Sequence, residues 1–236
     1  MKRKKIAFLI STFVVVVISF FIGLNRIKIK KVECFNQFNV CNPTIVVEAA
    51  RVNGKNIFLA RKELDKIIKN NYLVKSYLIA YKLPTALTIN LIERSPKIAL
   101  YPSETNKFLL ADEEGKIINM VDNSNLQKIS VDRKLPNLGE NIDREILFGI
   151  LLTLDAANID KIVEAKIEKN SLVISYKEGP KVTFPLDGDR KTLIGGLNLI
   201  LSQLNTSSNA TTIENEDLGN LKIDMRYRNP VLQYIK

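Results

Sequence analysis

The sequence predicts an α+β protein in which a single N-terminal transmembrane helix precedes two small folded domains. Three observations carry that expectation. Residues 6–24, IAFLISTFVVVVISFFIGL, form a run of 19 without a charge. Residues 25–95 switch between strand and helix periodicity in the order strand, helix, helix, strand, strand. Residues 96–236 are dominated by short alternating runs, interrupted by two amphipathic helical stretches.

Composition narrows the chemistry. The chain has 236 residues, 35 Lys+Arg, 25 Asp+Glu, two Cys and neither His nor Trp. Without His there is no Ser-His-Asp or Cys-His catalysis and no His-ligated zinc, and two Cys are too few for a Cys-only zinc or iron–sulfur site. The basic excess is local. Lys2, Arg3, Lys4, Lys5, Arg26, Lys28, Lys30 and Lys31 stand in a segment with no acidic residue, leaving 27 basic and 25 acidic residues in 32–236. A nucleic-acid binder would carry its positive charge on a folded face. Here the charge brackets the apolar run, which points to a membrane. As a helix, 19 residues rise ~28 Å, close to a bilayer hydrocarbon core. The run outlasts the apolar region of a cleaved signal peptide and ends in Phe20-Phe21-Ile22-Gly23-Leu24 with no small-residue cleavage pattern, so an uncleaved anchor with a basic tail at 1–5 is predicted. Four basic residues flank each side, and the positive-inside rule therefore favours neither orientation.

In 27–34 (IKIKKVEC) apolar and polar residues alternate, with a phase slip at Lys30-Lys31 that reads as a bulge. Asn42-Pro43 reads as an N-cap followed by proline in the first turn of a helix, with Ile45, Ala49 and Val52 as its buried stripe and Asn53-Gly54 as its stop. A second helix is predicted over 61–71, burying Leu64, Ile67 and Ile68 and turning Arg61, Lys62, Lys66 and Lys69 to water. Two strands follow around the turn Leu83-Pro84-Thr85. Tyr77, Ile79 and Tyr81 share a face on the first, and Leu87, Ile89 and Leu91 on the second. Cys34 and Cys41 lie seven apart. In an oxidising compartment the pair closes a short loop; otherwise the two are small hydrophobes.

In the second half, strands are predicted at 97–101, 107–111 and 116–121, with Asp112-Glu113-Glu114-Gly115 as a turn. A helix over 142–157 is followed by strands at 161–168, 171–177 and 181–185, then by a helix over 189–204 and a polar linker at 205–212. In 221–227 Leu221, Ile223, Met225 and Tyr227 alternate with Lys222, Asp224 and Arg226. Arg228-Asn229-Pro230 turns the chain, and 231–235 is apolar on both faces and uncharged. Such a strand is either a sheet edge open to a partner strand or a core strand paired on both sides. No phosphate-cradling glycine motif occurs, and the acidic groups at 112–114 and at Asp187 and Asp189 fall in predicted turns, so no enzyme chemistry is read from the chain.

The β-α-α-β-β order, together with Asn53-Gly54, Asn56-Ile57-Phe58, Val74-Lys75-Ser76, Leu83-Pro84-Thr85 and Ile92-Glu93-Arg94-Ser95-Pro96, resembles a POTRA domain of the FtsQ/DivIB cell-division family. Leu109-Leu110-Ala111-Asp112 with Gly115, Leu135-Pro136 with Gly139, and Ile223-Asp224-Met225-Arg226-Tyr227 resemble the β-domain of the same family. The resemblance implies a cytoplasmic tail at 1–5, a membrane span at 6–24, a POTRA domain at 25–95 and a β-domain at 96–236. It implies a single-pass protein of the bacterial inner or plasma membrane, N-terminus cytoplasmic, working at the division septum. Its role would be that of a non-catalytic scaffold of the divisome, with no cofactor, metal, nucleic acid or small-molecule substrate. The implied partners are the FtsB–FtsL pair and septal peptidoglycan synthesis proteins, with FtsB adding a strand at the last strand of the β-domain. Tyr227 falls where the family has a contact tyrosine, and Asn229, Val231, Leu232, Gln233, Tyr234 and Ile235 fall along the augmented strand. Pro230 lacks an N–H at the start of that strand, and the Cys34/Cys41 pair is not general to the family. A POTRA-containing membrane-anchored chaperone, or a secretion or assembly component, is the alternative; such proteins usually carry tandem POTRA units and a barrel.

Overall fold

A computed structural model describes Phe13 and residues 27–102, 106–177, 179–210 and 219–234. The basic tail at 1–5 and, except for Phe13, the uncharged run at 6–24 lie outside the described residues, as does Ile235. Among the described residues no helix is long and apolar enough to cross a membrane. The fold is mixed α+β and divides into two compact units, one ending at Arg94 and the other beginning at Ser95.

The first unit contains β1 (Lys31–Phe35), α1 (Pro43–Ala49) continued by a 3-10 turn (Ala50–Val52), α2 (Ile57–Asn70), β2 (Val74–Lys82) and β3 (Ala86–Glu93). Its three strands lie in the order β1-β3-β2, with β1 parallel to β3 and β2 antiparallel to it. The Asn42 side chain accepts from the Thr44 N–H and caps α1, while Asn56 does the same for α2 through Phe58 N–H. Gly54 sits between the helices at φ +81°, a conformation that costs glycine little. Ile45, Ala49 and Val52 meet Leu64 and Ile68 over Leu87 and Ile89, all buried, so helical and strand periodicities converge on one core. Two expectations change. The phase slip at Lys30-Lys31 is no bulge but the point where β1 begins, after Ile29 has been pulled into the core by the α1–α2 connection. Helix α2 starts four residues before the predicted 61, because its buried stripe runs back through Ala60 to Ile57, where Asn56 caps it and leaves Phe58 and Leu59 exposed in the first turn.

The second unit runs β4 (Ile98–Pro102), β5 (Phe108–Ala111), β6 (Ile117–Val121), β7 (Lys128–Val131), α3 (Arg144–Ala156), β8 (Ile162–Glu168), β9 (Ser171–Tyr176), β10 (Lys181–Pro185), α4 (Arg190–Ala210), β11 (Leu221–Asp224) and β12 (Val231–Tyr234). They make a nine-stranded sheet in the order β12-β11-β10-β9-β8-β7-β4-β5-β6. The pairs β4/β7, β7/β8 and β10/β11 are parallel and the others antiparallel. Ile167, Leu172, Ile174, Val182, Phe184, Leu221 and Ile223 share one buried core with Ile146 and Ile150 of α3 and Leu197 of α4. Buried Asp112 accepts from the N–H groups of Glu114 and Lys116 and closes the β5–β6 turn, a structural role for that acidic run. Strand β7 was not anticipated. The helix predicted to stop at 204 continues to Ala210, so the expected linker begins as helix. The strand predicted over 221–227 stops at Asp224.

Candidate partner-binding edge

The β10–α4–β11 crossover carries the chain back parallel to β10, placing Val182 beside Ile223 and Thr183 beside Asp224. Asp189 holds the start of α4 by accepting from Thr192 N–H at 2.7 Å, which keeps its carboxyl below the usual carboxylate range. Within α4, Gly196 lets the helix close onto the end of β11: a Cβ there would stand 3.3 Å from Met225 Cε. Met225 is itself pinned by its N–H donating to Thr183 O at 2.8 Å. These contacts fix where β11 ends.

The turn that follows is held by one charge pair. Arg226 Nε donates to Asp224 Oδ1 at 2.9 Å and Arg226 Nη2 to Oδ2 at 2.5 Å, while the Arg226 N–H also donates to Oδ1. The guanidinium holds the Asp224 carboxyl below its ordinary range, and the carboxylate in turn raises Arg226. Both teeth of the fork are used, a stronger arrangement than a single contact. The chain then reverses into β12.

Strand β12 pairs antiparallel with β11 in the register Leu221↔Tyr234, Lys222↔Gln233, Ile223↔Leu232 and Asp224↔Val231. Among the described residues nothing pairs with its other side. Two of its four residues therefore turn N–H and C=O away from β11, as alternate positions of an antiparallel strand must. Directly opposed residues share a sheet face. Leu232 and Tyr234 thus stand in line with buried Leu221 and Ile223, yet remain 45% and 54% exposed. They extend the core's apolar layer past the last place where the described residues cover it. On the opposite face, Lys181, Lys222 and Gln233 form a row across three strands. A strand added at this edge would meet Leu232 and Tyr234 on one face and Val231 and Gln233 on the other, with Lys222 one strand further in.

The sequence-derived site residues divide here. Val231, Leu232, Gln233 and Tyr234 form the strand, and Asn229 lies in the turn before it. Tyr227 does not continue the buried alternation of β11: it falls in the bend and is 59% exposed, because the Asp224–Arg226 pair ends the strand three residues earlier. At the other end of the chain, Cys34 and Cys41 are joined by a disulfide. Cys41 is buried with Ile45 and Ala49, so the bridge ties the end of β1 to the start of α1. The Asp224–Arg226 clamp was missed by sequence reading; an Asp-x-Arg spacing at the end of an alternating run was the available signal.

The molecule is therefore a two-unit α+β protein whose second sheet ends on an exposed, uncharged strand. No family model matches the chain. A stretch of 89 residues is 36% identical to the cell division protein FtsQ of Rickettsia bellii. That stretch covers 37% of this chain and 33% of the relative, so the chain matches about a third of the relative's length.

Proposed function

We propose that the chain is a non-catalytic scaffold of the FtsQ type, anchored in the bacterial inner or plasma membrane through 6–24 with its N-terminus cytoplasmic. In this reading the first unit is a POTRA domain, the second a β-domain, and both are extracytoplasmic at the division septum. The observation that carries the reading is the open edge of β12, supported by the similarity to FtsQ. The edge suits recruitment of an FtsB–FtsL-like pair by strand addition, and through it of septal peptidoglycan synthesis proteins. Backbone groups supply affinity, while the Leu232–Tyr234 strip selects a strand with apolar residues on that face. Anchoring in one membrane raises the effective concentration of partners tethered beside it.

The double substitution Leu232→Lys, Tyr234→Lys tests the site. Both side chains are exposed, so the circular dichroism and melting temperature should not change, while co-purification of the FtsB–FtsL pair should be lost. Retained co-purification would refute the edge as the recruiting surface. A fluorescent fusion of the full chain should gather at midcell.

A further inference from the structure

The first unit has two distinct ends, and the register of its sheet says which one faces the anchor. The apolar run ends at Leu24, and the three residues from there to Ile27 can span at most about 10 Å. There the chain is bolted down. Ile57 N–H donates to Ile27 O at 3.0 Å, Ile29 N–H to Lys55 O at 2.9 Å, Gly54 N–H to Ile29 O at 2.7 Å, and Lys30 N–H to Thr85 O at 2.8 Å. These bonds hold the start of α2 and the β2–β3 turn beside the point of entry. β1 begins at Lys31 opposite Ala86, which is itself opposite Lys82, so all three strands have that end in common. Two separate connections expose large apolar side chains there: Phe58 and Leu59 from the first turn of α2, and Leu83, 76% exposed, from the turn.

The charge at this end is one-sided. Lys28 and Lys30 are exposed. The nearby acids are engaged, Glu33 by Lys31 and Lys82, and Glu63 by Lys55 at 2.5 Å. Apolar side chains within a basic rim, at an entry point three residues along the chain from the apolar run, match the interfacial region of a bilayer with anionic headgroups.

We propose that this end of the first unit seats on the bilayer, with Phe58, Leu59 and Leu83 entering the interface and Lys28 and Lys30 meeting anionic headgroups. The contact would hold the unit upright on its anchor instead of letting it swing on a free linker. It rests on the reading of 6–24 as a membrane span.

The chain has no Trp, so a single introduced one is an unambiguous probe. The full chain would be reconstituted as Leu83→Trp, with Leu59→Trp as a second reporter, in phosphatidylcholine–phosphatidylglycerol vesicles with brominated acyl chains. Phe38→Trp is the control. Phe38 is 74% exposed in the disulfide loop at the far end of the sheet, where Gln37 bonds to Glu93. β3 alone separates the two ends by roughly 23 Å. The 83 and 59 probes should be quenched and blue-shifted relative to the 38 probe, and Lys28→Glu with Lys30→Glu should lessen the quenching. If all three probes are quenched equally little while the chain floats with the vesicles, the seating is wrong and the anchor stands. A chain that does not float overturns both.

Discussion

Asp224 and Arg226 show how two polar residues separated by one other in the chain decide where a strand ends. The carboxylate accepts four bonds from one arginine and ends β11, so Tyr227 is turned out and β12 is set antiparallel. Arg226→Ala should destabilise the second unit by roughly 0.5–1 kcal/mol, because the pair is partly exposed and screened. The folded carboxyl is more acidic than the unfolded one. Its contribution is therefore complete above the unfolded carboxylate range and disappears as pH falls through the folded value. Urea midpoints of wild type and Arg226→Ala should differ near neutral pH and converge in acid; a gap that persists in acid would assign the effect to lost packing of the arginine stem. The alternation in 221–227 was visible in the sequence, but the point where it stops was not. A pair two residues apart competes with strand geometry only when the neighbouring strand leaves its carboxylate partly open.

At the scale of elements, glycines and the disulfide separate packing from propensity. A Cβ on Gly149 in α3 would stand 3.0 Å from Ile167 Cδ1 and 3.1 Å from Leu186 Cδ2, whereas one on Gly195 in α4 would meet nothing within 4 Å. Gly195→Ala should stabilise by roughly 0.5–1 kcal/mol through helix propensity, while Gly149→Val should cost roughly 1–3 kcal/mol through overpacking. Thermal melts would show shifts of opposite sign. The bridge between Cys34 and Cys41, with a sequence separation of 7, should contribute roughly 2–3 kcal/mol by restricting the unfolded chain. Cys34→Ser with Cys41→Ser should lower the urea midpoint of the first unit by a corresponding amount. The helices were legible where capping and a buried stripe agree, as at Asn42-Pro43 with Ile45 and Ala49. α2 begins four residues before the predicted start because its buried stripe runs back through Ala60 to Ile57, where Asn56 caps it and leaves Phe58 and Leu59 exposed. β7 escaped notice because four residues, with only Ile129 and Val131 buried, are too short a pattern to read without its parallel neighbours β4 and β8.

For the whole molecule the proposals concern placement in a membrane and in a complex. Protease added to spheroplasts should digest residues beyond 27 if the two units are extracytoplasmic; protection of both would reverse the proposed topology, on which the evenly divided flanking charge is silent. The same orientation would let the disulfide form in an oxidising compartment.

Local pattern alone established the α+β class, the order of most elements, the absence of any His-based chemistry, and the uncharged character of the final strand. Those properties follow from residue type and from periods of two and 3.6, which neighbouring residues express without help from distant ones. The position of β12 at the rim of nine strands, the exposure of Leu232 and Tyr234 beside a buried layer, and the gathering of Leu83 with Phe58 and Leu59 came only from tertiary structure. Each depends on hydrogen bonds between segments far apart in the chain, and a strand's own residues do not record how many neighbours it will have.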